Sequence, residues 1–331
     1  MPDLRFGPPA LHEAADVAAL INRCSQLLIG LPGVDPERLA HQWAVLGPAL
    51  PEVALCARHP DGRIVGYLML ASPPPHQHNR IWGRVDPDYW GQGVGRAMLL
   101  EAERRTQLLV PAAPPEGQVG MYHRLNAADS QAVHLLESLG YTPIHPQWQM
   151  QLDLAQPPPD VDMPFGVVLR PVDPSKDFHP LHAAYFEAFA NHWGVGYLPP
   201  DRWWAVMTGD PANFDPVLWT VAEHDGQIVG FALCDPALIH VPDMGLQPEA
   251  GFINAMGVVP TWRRRGVAQA LLLETLRQFW ARGKQRVCLG VMADNVGAVA
   301  LYEKAGMTKT ARFVVYRKIL RPGLPPDSDP G

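Results

Sequence analysis

The sequence predicts two tandem α/β units of the α+β mixed-sheet kind, each a twisted mixed sheet flanked by helices. An internal repeat is the first reason. Asp61-Gly62-Arg63-Ile64-Val65-Gly66-Tyr67 returns as Asp225-Gly226-Gln227-Ile228-Val229-Gly230-Phe231, and the run from Gly93 to Glu101 returns from Gly266 to Glu274. A third block, Leu135 to Tyr141, returns as Leu301 to Met307. The offsets are 164, 173 and 166 residues in the same order, far longer than solenoid periods, so a whole domain is duplicated. The second reason is that strand and helix signals are mixed within each copy after an antiparallel hairpin. The third is size: 331 residues, 47% hydrophobic and 18% charged, supply two cores at roughly 100–200 residues per domain and exclude a disordered chain.

In chain order, each copy opens on a short strand, near Leu4-Arg5 and from Val167 to Arg170, that leads into helical segments. Asp61-Gly62 and Asp225-Gly226 each mark a hairpin turn, because both residues tolerate positive φ. In the second copy a strand from Phe252 to Val259 precedes a glycine-bearing turn and a helix. The helix is read from Val267, Ala270, Leu271, Leu273 and Leu276, whose spacing fits a helical period rather than alternation. A strand (Val287 to Met292), a short helix (about Val296 to Ala305) and a last strand (Phe313 to Arg317) close the copy. Gln156-Pro157-Pro158-Pro159-Asp160 can continue neither a helix nor a central strand and reads as a stiff linker. The expected division is therefore 1–155, a Pro-rich linker at 156–165, 166–320, and a disordered tail at 321–331.

Several function classes are excluded at this level. A net charge of −6 argues against nucleic-acid binding through a general basic surface. Cys24, Cys56, Cys234 and Cys288 are far apart and form no CxxC pair, so neither a zinc site nor a disulfide framework is expected. No apolar run approaches the length of a membrane span, and the N-terminus lacks a basic segment followed by an apolar one. The expectation is a cytoplasmic protein without a metal.

Chemistry is carried by the junction after the fourth strand of each copy. In the second copy Met256-Gly257-Val258 leads through Arg263-Arg264-Arg265-Gly266-Val267-Ala268 into a helix. The first N–H groups of a helix lack intrahelical partners and face anions favourably, and small residues at 266 and 268 allow close approach. The three arginines add forked donors for phosphate oxygens. An ordinary strand–helix turn with a solvated basic run is the alternative from this loop alone. The first copy places Val85, Gly91, Gln92, Gly93, Val94, Gly95 and Arg96 in the same stretch. It is not a dinucleotide fingerprint, because Met98 stands where the third glycine belongs.

At these residues the chain resembles the GNAT superfamily of N-acetyltransferases, in tandem arrangement. The family motif Q/R-x-x-G-x-G/A reads Arg263-Arg264-Arg265-Gly266-Val267-Ala268, and a second motif spans Asn295 to Met307 through Tyr302-Glu303-Lys304-Ala305-Gly306. The resemblance covers nearly the whole chain when both copies are counted. It implies acetyl-CoA as acyl donor, with Met256, Gly257 and Val258 along the pantetheine. It also implies that residues 263–268 and Asn295 hold the cofactor and that Tyr302 is the catalytic proton donor to the leaving thiolate. The first copy departs at three points, with Trp90 for the leading Gln/Arg, Asp129 for Asn295 and Leu136 for Tyr302, and is expected to be degenerate, keeping at most a weaker cofactor site.

The general base stays open. Glu249 lies before the strand, Phe252 and Asn254 take cleft-facing positions, and Asp235, His240 and Asp243 read as surface loop residues. The stretch with Tyr185, Phe186, Phe189, His192, Trp193, Tyr197, Trp203 and Trp204 is either core or an aromatic wall for an amine. The resulting expectation is acetyl transfer to a primary amine, of a small molecule, by direct attack on the thioester in the second copy. Two other classes remain in view: a non-catalytic acyl-CoA-binding or sensing protein, and a protein or peptide N-acetyltransferase. Duplication also allows a monomer to act as a pseudo-dimer.

Overall fold

A computed structural model describes residues 4–190, 192, 195–209, 214–239 and 241–324. The first repeat contributes β1 (Arg5–Gly7), α1 (Ala14–Ile29), α2 (Pro36–Leu46), α3 (Leu50–Val53), β2 (Ala54–Arg58), β3 (Ile64–Ala71), β4 (His78–Val85), α4 (Val94–Leu109), β5 (Val119–Asn126), α5 (Ser130–Ser138) and β6 (Thr142–Asp153). The second contributes β7 (Val168–Pro171), α6 (Pro174–Ala188), α7 (Pro200–Met207), β8 (Thr220–His224), β9 (Gln227–Asp235), β10 (Ala250–Val258), α8 (Val267–Ala281), β11 (Arg286–Met292), α9 (Val296–Lys304) and β12 (Thr308–Arg321).

The two Asp-Gly turns close their hairpins differently. Asp225 (φ 48°) and Gly226 (φ 76°) are both left-handed, as a two-residue type I′ turn requires. In the first repeat Gly62 (φ 94°) has positive φ while Asp61 does not, and His59 N–H donates to Arg63 C=O at 2.9 Å across the loop. The same dipeptide there closes a longer loop. The register shift between Ala57 and Arg58 has its counterpart between Ala222 and Glu223 and is common to both hairpins.

The chain condenses into two compact units. Among the described residues one takes in 4–147, 239–246 and 311–324, and the other 148–238 and 247–310. The division expected from sequence, 1–155 and 166–320, and the compact units thus cut the chain differently. In the first unit the strand order runs β1-β2-β3-β4-β5 and continues with residues of β12. Those residues run antiparallel to β5, from Phe313 opposite Asn126 to Arg321 opposite Val119. In the second unit the order is β11-β10-β9-β8-β7, with the end of β6 beside β11, where Leu154 N–H donates to Gln285 C=O at 2.8 Å. Each sheet is therefore completed by the last strand of the other repeat. A duplicated sequence permits this, because both edges accept the same kind of strand.

The first unit packs α1 and α2 on one face, around the buried Trp43, Ile21 and Cys56, and α4 and α5 on the other, around Met98, Met121, Leu136 and Tyr316. The second gathers one core from Trp203, Trp219, Phe231, Leu271, Phe279 and Leu289. Residues 321–324, assigned from sequence to the tail, are tied to the first unit. The Arg321 guanidinium donates to Val110, Pro114 and Gly117 carbonyls, and Leu324 N–H donates to Glu116 C=O. Residues 325–331 lie outside the described residues. No described helix is long and apolar enough to cross a membrane.

Strand exchange carries a direct consequence. A fragment of residues 1–155 lacks the strand that covers β5 and loses the burial of Phe313, Val314 and Tyr316. At roughly 1.5–3 kcal/mol per buried side chain that is a large fraction of the roughly 5–15 kcal/mol stability of an ordinary domain. Circular dichroism and urea unfolding of the fragment are expected to show a transition at lower urea than the intact chain, because β6 (Thr142–Asp153) must take the place of β12 beside β5, and adding residues 156–331 is expected to raise the midpoint.

Candidate active site

Both units build the same wedge. Four residue pairs join β4 to β5 in parallel, from His78–Gly120 to Ile81–His123, and four join β10 to β11, from Ala250–Arg286 to Ile253–Leu289. Beyond those pairs the strands part, which leaves backbone groups on the inner edges without a ladder partner. The wedges differ in one respect. β10 slips register against β9 between Ile253 and Ala255, so Asn254 forms a bulge that re-aims the backbone at the mouth of the wedge. β4 runs beside β3 in unbroken register from Gly66–Val85 to Ala71–Arg80. After the bulge Asn254 is exposed, Ala255, Met256 and Gly257 are half-buried, and Val258 is buried.

At the open end of each wedge lies the glycine-bearing turn. Arg264 (φ 61°) and Gly266 (φ 87°) are left-handed, as are Gly91 (φ 73°) and Gly93 (φ 85°) at the equivalent positions. Alternating handedness turns successive N–H groups to one side and makes a concave anion seat, continued by the free N–H groups of α8 or α4. Gly95 lies close to α5: a Cβ there would stand 2.9 Å from Leu135 Cδ2, the movable end of a half-buried side chain. Arg264, Arg265 and Gly266 are exposed, as are Gly91, Gln92 and Arg96, and Val267 and Val94 are buried where each helix enters its core. The Arg265 guanidinium lies 4.8 Å over the Trp262 ring.

The leading position of the motif does something the sequence does not reveal. Arg263 Nε donates to the Val258 carbonyl at 3.1 Å and Nη2 to the Ala188 carbonyl at 2.8 Å. In the first unit Trp90 Nε1 donates to the Val85 carbonyl at 2.7 Å. Both side chains clip the turn to the end of the preceding strand, so Trp90 preserves the tie that Arg263 makes. Likewise Asn295 Oδ1 accepts from Ala298 N–H at 3.2 Å and Asp129 Oδ1 from Ala132 N–H at 3.0 Å. Each caps its helix, a task either residue type performs. Two of the three departures of the first copy thus leave the local structure intact.

The third does not. Tyr302 sits on α9, 7% exposed, where burial above all, then Cys234, pushes its phenol up to about 12. No hydrogen bond to its hydroxyl is found among the described residues, so the proton is held and uncommitted. Leu136, buried on α5, has no counterpart to it.

Of the aromatic stretch, Tyr185 stacks on Phe231 at 5.6 Å and touches Phe189 (4.9 Å) and Trp203 (5.2 Å). Trp203 is core, at 2% exposed, whereas Tyr197 is 65% exposed; Trp193 lies outside the described residues. Gly257 belongs to the same assembly, since a Cβ there would stand 2.6 Å from Phe231 Cζ. Sequence reading overlooked His182, whose ring packs between Phe186 (4.8 Å) and Trp203 (5.5 Å) and bonds the Leu198 carbonyl.

Two loop expectations are corrected. Asp235 and Asp243 are buried, not on the surface. Asp243 belongs to the first unit, where it accepts from Trp82 Nε1 at 3.0 Å and pairs with Arg84 and Arg124. Burial pushes its carboxyl up, but the two guanidinium groups and the hydrogen bonds outweigh burial and hold it below the usual range. His240 lies outside the described residues. Glu249 is exposed, 3.9 Å from Arg286, and Phe252 is buried.

The wedge of the first unit encloses a cavity of about 670 Å³, lined among others by Val85, Gly93, Gly95, Arg96, His123 and Leu135. That volume is typical of sites for small ligands.

The acetyltransferase (GNAT) family matches at residues 178–307 and an acetyltransferase (GNAT) domain at residues 52–143. The mycothiol acetyltransferase of Salinispora arenicola is 30% identical over 95% of both chains, and that of Streptomyces bingchenggensis 30% identical over 80% of both. The chain belongs to the GNAT acetyltransferase family. A GCN5-related N-acetyltransferase from Sphaerobacter thermophilus superposes with a TM-score of 0.85 at 30% identity, covering 99% of both chains. A tandem GNAT protein from the clavulanic acid biosynthesis pathway shares the fold, with a TM-score of 0.73 at 17% identity over 97% of this chain and 100% of its own. The chain is thus a tandem GNAT N-acetyltransferase that takes its acyl group from acetyl-CoA.

Arg264 offers a test of the turn. A left-handed L-residue costs about 1–2 kcal/mol, and glycine returns about 0.4–1 kcal/mol of that through a freer unfolded chain. Arg264→Gly is expected to stabilise the protein by about 0.5–1 kcal/mol in urea unfolding. Loss of the guanidinium is expected to weaken acetyl-CoA binding up to about fivefold by calorimetry, the range of an exposed ion pair.

Proposed function

We propose that the second unit carries out the transfer, moving the acetyl group of acetyl-CoA to the primary amine of a small molecule. The observation that carries this reading is the bulge at Asn254 opposite the parting of β10 and β11, together with Tyr302 on the neighbouring helix. The bound thioester supplies an activated acyl group. Arg264, Gly266, Val267 and Ala268 hold the pyrophosphate with backbone N–H groups, Arg264 and Arg265 adding positive charge. Arg263 keeps the turn in place through Val258 and Ala188. Met256, Gly257 and Val258 line the pantetheine, and Asn295 fixes the start of α9.

Backbone N–H groups freed by the bulge polarise the carbonyl oxygen without reorganising as charge develops. The Tyr302 hydroxyl keeps its proton at neutral pH and offers it to the leaving sulfur. The aromatic wall of Tyr185, Phe189 and Phe231 borders the acceptor side at Gly257. The curated relatives at about 30% identity, named mycothiol acetyltransferases, support a small-molecule acceptor and make a mycothiol-type amine the first to assay. The reading extends to a cytoplasmic monomer acting as a pseudo-dimer, with no nucleic-acid partner.

The first unit, on this reading, binds acyl-CoA without turning it over. Gly91, Gly93, Val94 and Gly95 form the same anion seat, Val85 and Trp90 hold it, and Gln92 and Arg96 flank it, but Leu136 has no proton to give. Arg84, at the position of Gly257, is engaged with Asp243 where the second unit has its aromatic wall.

Tyr302→Phe is expected to lower kcat about 10²-fold with little change in acetyl-CoA affinity, read as CoA release against a panel of amines. Gly266→Glu puts a carboxylate at a left-handed position in the anion seat. Calorimetry is expected to find two acetyl-CoA equivalents per wild-type chain and one in this variant. Full activity in Tyr302→Phe would assign the proton to another group.

A further inference from the structure

His123 is the residue of the first wedge that nothing so far has used. It is the last β5 residue of the parallel ladder, opposite Ile81, and lines the cavity where the strands part. Its counterpart in the second unit, the last β11 residue of the ladder opposite Ile253, is Leu289. The imidazole is 8% exposed. Its Nδ1 is buried without a hydrogen-bond partner, and no hydrogen bond to either ring nitrogen is found among the described residues.

A buried polar ring with no partner is unfavourable, and the second unit shows that an apolar side chain fits this place in the same fold. The ring is also neutral. Burial, which outweighs the Asp243 carboxylate, pushes its pKa down to about 4, so one nitrogen carries a hydrogen and the other a lone pair. Asp243 does not satisfy it, being held by Trp82, Arg84 and Arg124.

The anion seat at Gly91 and Gly93 and the unpartnered ring lie along one cavity, the seat at its mouth and the ring where the strands converge. A ligand anchored by phosphate at the seat and reaching inward presents its far end to His123. We propose that the first cleft is a receptor for acyl-CoA thioesters that distinguishes them from free coenzyme A, the His123 N–H binding the thioester carbonyl oxygen. This rests on the reading that the first unit binds coenzyme A at all. Free coenzyme A ends in a thiol, which is a weak acceptor, and leaves the buried donor unpaired. The first unit therefore responds to the ratio of charged to discharged cofactor while the second consumes the charged form.

The test is calorimetric, on the full chain carrying Gly266→Glu so that the first cleft is read alone, and repeated on the wild type by two-site fitting. Acetyl-CoA is expected to bind about tenfold more tightly than coenzyme A, the consequence of one unpaired buried donor. His123→Leu installs the residue the second repeat carries there. It is expected to abolish that preference by weakening acetyl-CoA alone, with coenzyme A affinity unchanged. His123→Gln, which keeps an N–H donor, is expected to recover part of the preference. Equal affinities in the unsubstituted cleft, or equal losses for both ligands in His123→Leu, would overturn the role of His123 while leaving the coenzyme A site standing. Binding of neither ligand to the first unit would overturn the site as well.

Discussion

Both candidate clefts of this protein depend on two parallel strand pairs that stop pairing after four residues. A parallel ladder that continued would satisfy its own backbone groups and bury the space between. By parting, β4 and β5, and β10 and β11, leave a tapered slot with unpaired backbone on its walls and a helix N-terminus at its mouth. In the proposed binding mode a long, anion-tipped thioester fits that combination, with phosphate at the helix and the reactive end in the slot. The bulge at Asn254 then distinguishes the second wedge from the first, as one extra residue changes where the N–H groups point.

The comparison of the two wedges separates residue identity from residue task. Trp90 and Arg263 share no chemistry as side chains except a planar N–H, and that N–H is what each supplies to the end of the preceding strand. Asp129 and Asn295 share a side-chain oxygen, and each uses it to cap a helix. A motif written in letters counts both as losses in the first repeat. Leu136 for Tyr302 is of another kind, because a hydroxyl proton has no apolar substitute.

Most elements of the fold were legible. The Asp-Gly hairpins, the strand into the Gly266 turn, the helix from Val267 and the short helix from Val296 follow from local turn chemistry and apolar spacing, and they lie where expected. The turn and the strand of the candidate site were legible, since contiguous motifs carry them, and the same motifs supply Tyr302 as the proposed proton donor. His123, the Asn254 bulge and the Arg84–Asp243 pair were not. A lone histidine within an apolar strand gives no sign of whether its nitrogens are satisfied. A bulge depends on the register of the neighbouring strand. An ion pair joining β4 to a segment some 160 residues later has no local signature.

The sequence by itself determined that the domain is duplicated, where its strands and helices fall, and which repeat carries a tyrosine where the other has Leu136, because these are properties of short stretches and their recurrence. Only the tertiary structure decided which strand completes which sheet and where the compact units divide. It also decided that Trp90 stands in for an arginine and that a neutral imidazole is left unpaired in the first cleft. Those outcomes are set by contacts between residues far apart in the chain. Two equivalent sheet edges accept either final strand equally well by pattern, and burial and chain geometry choose between them.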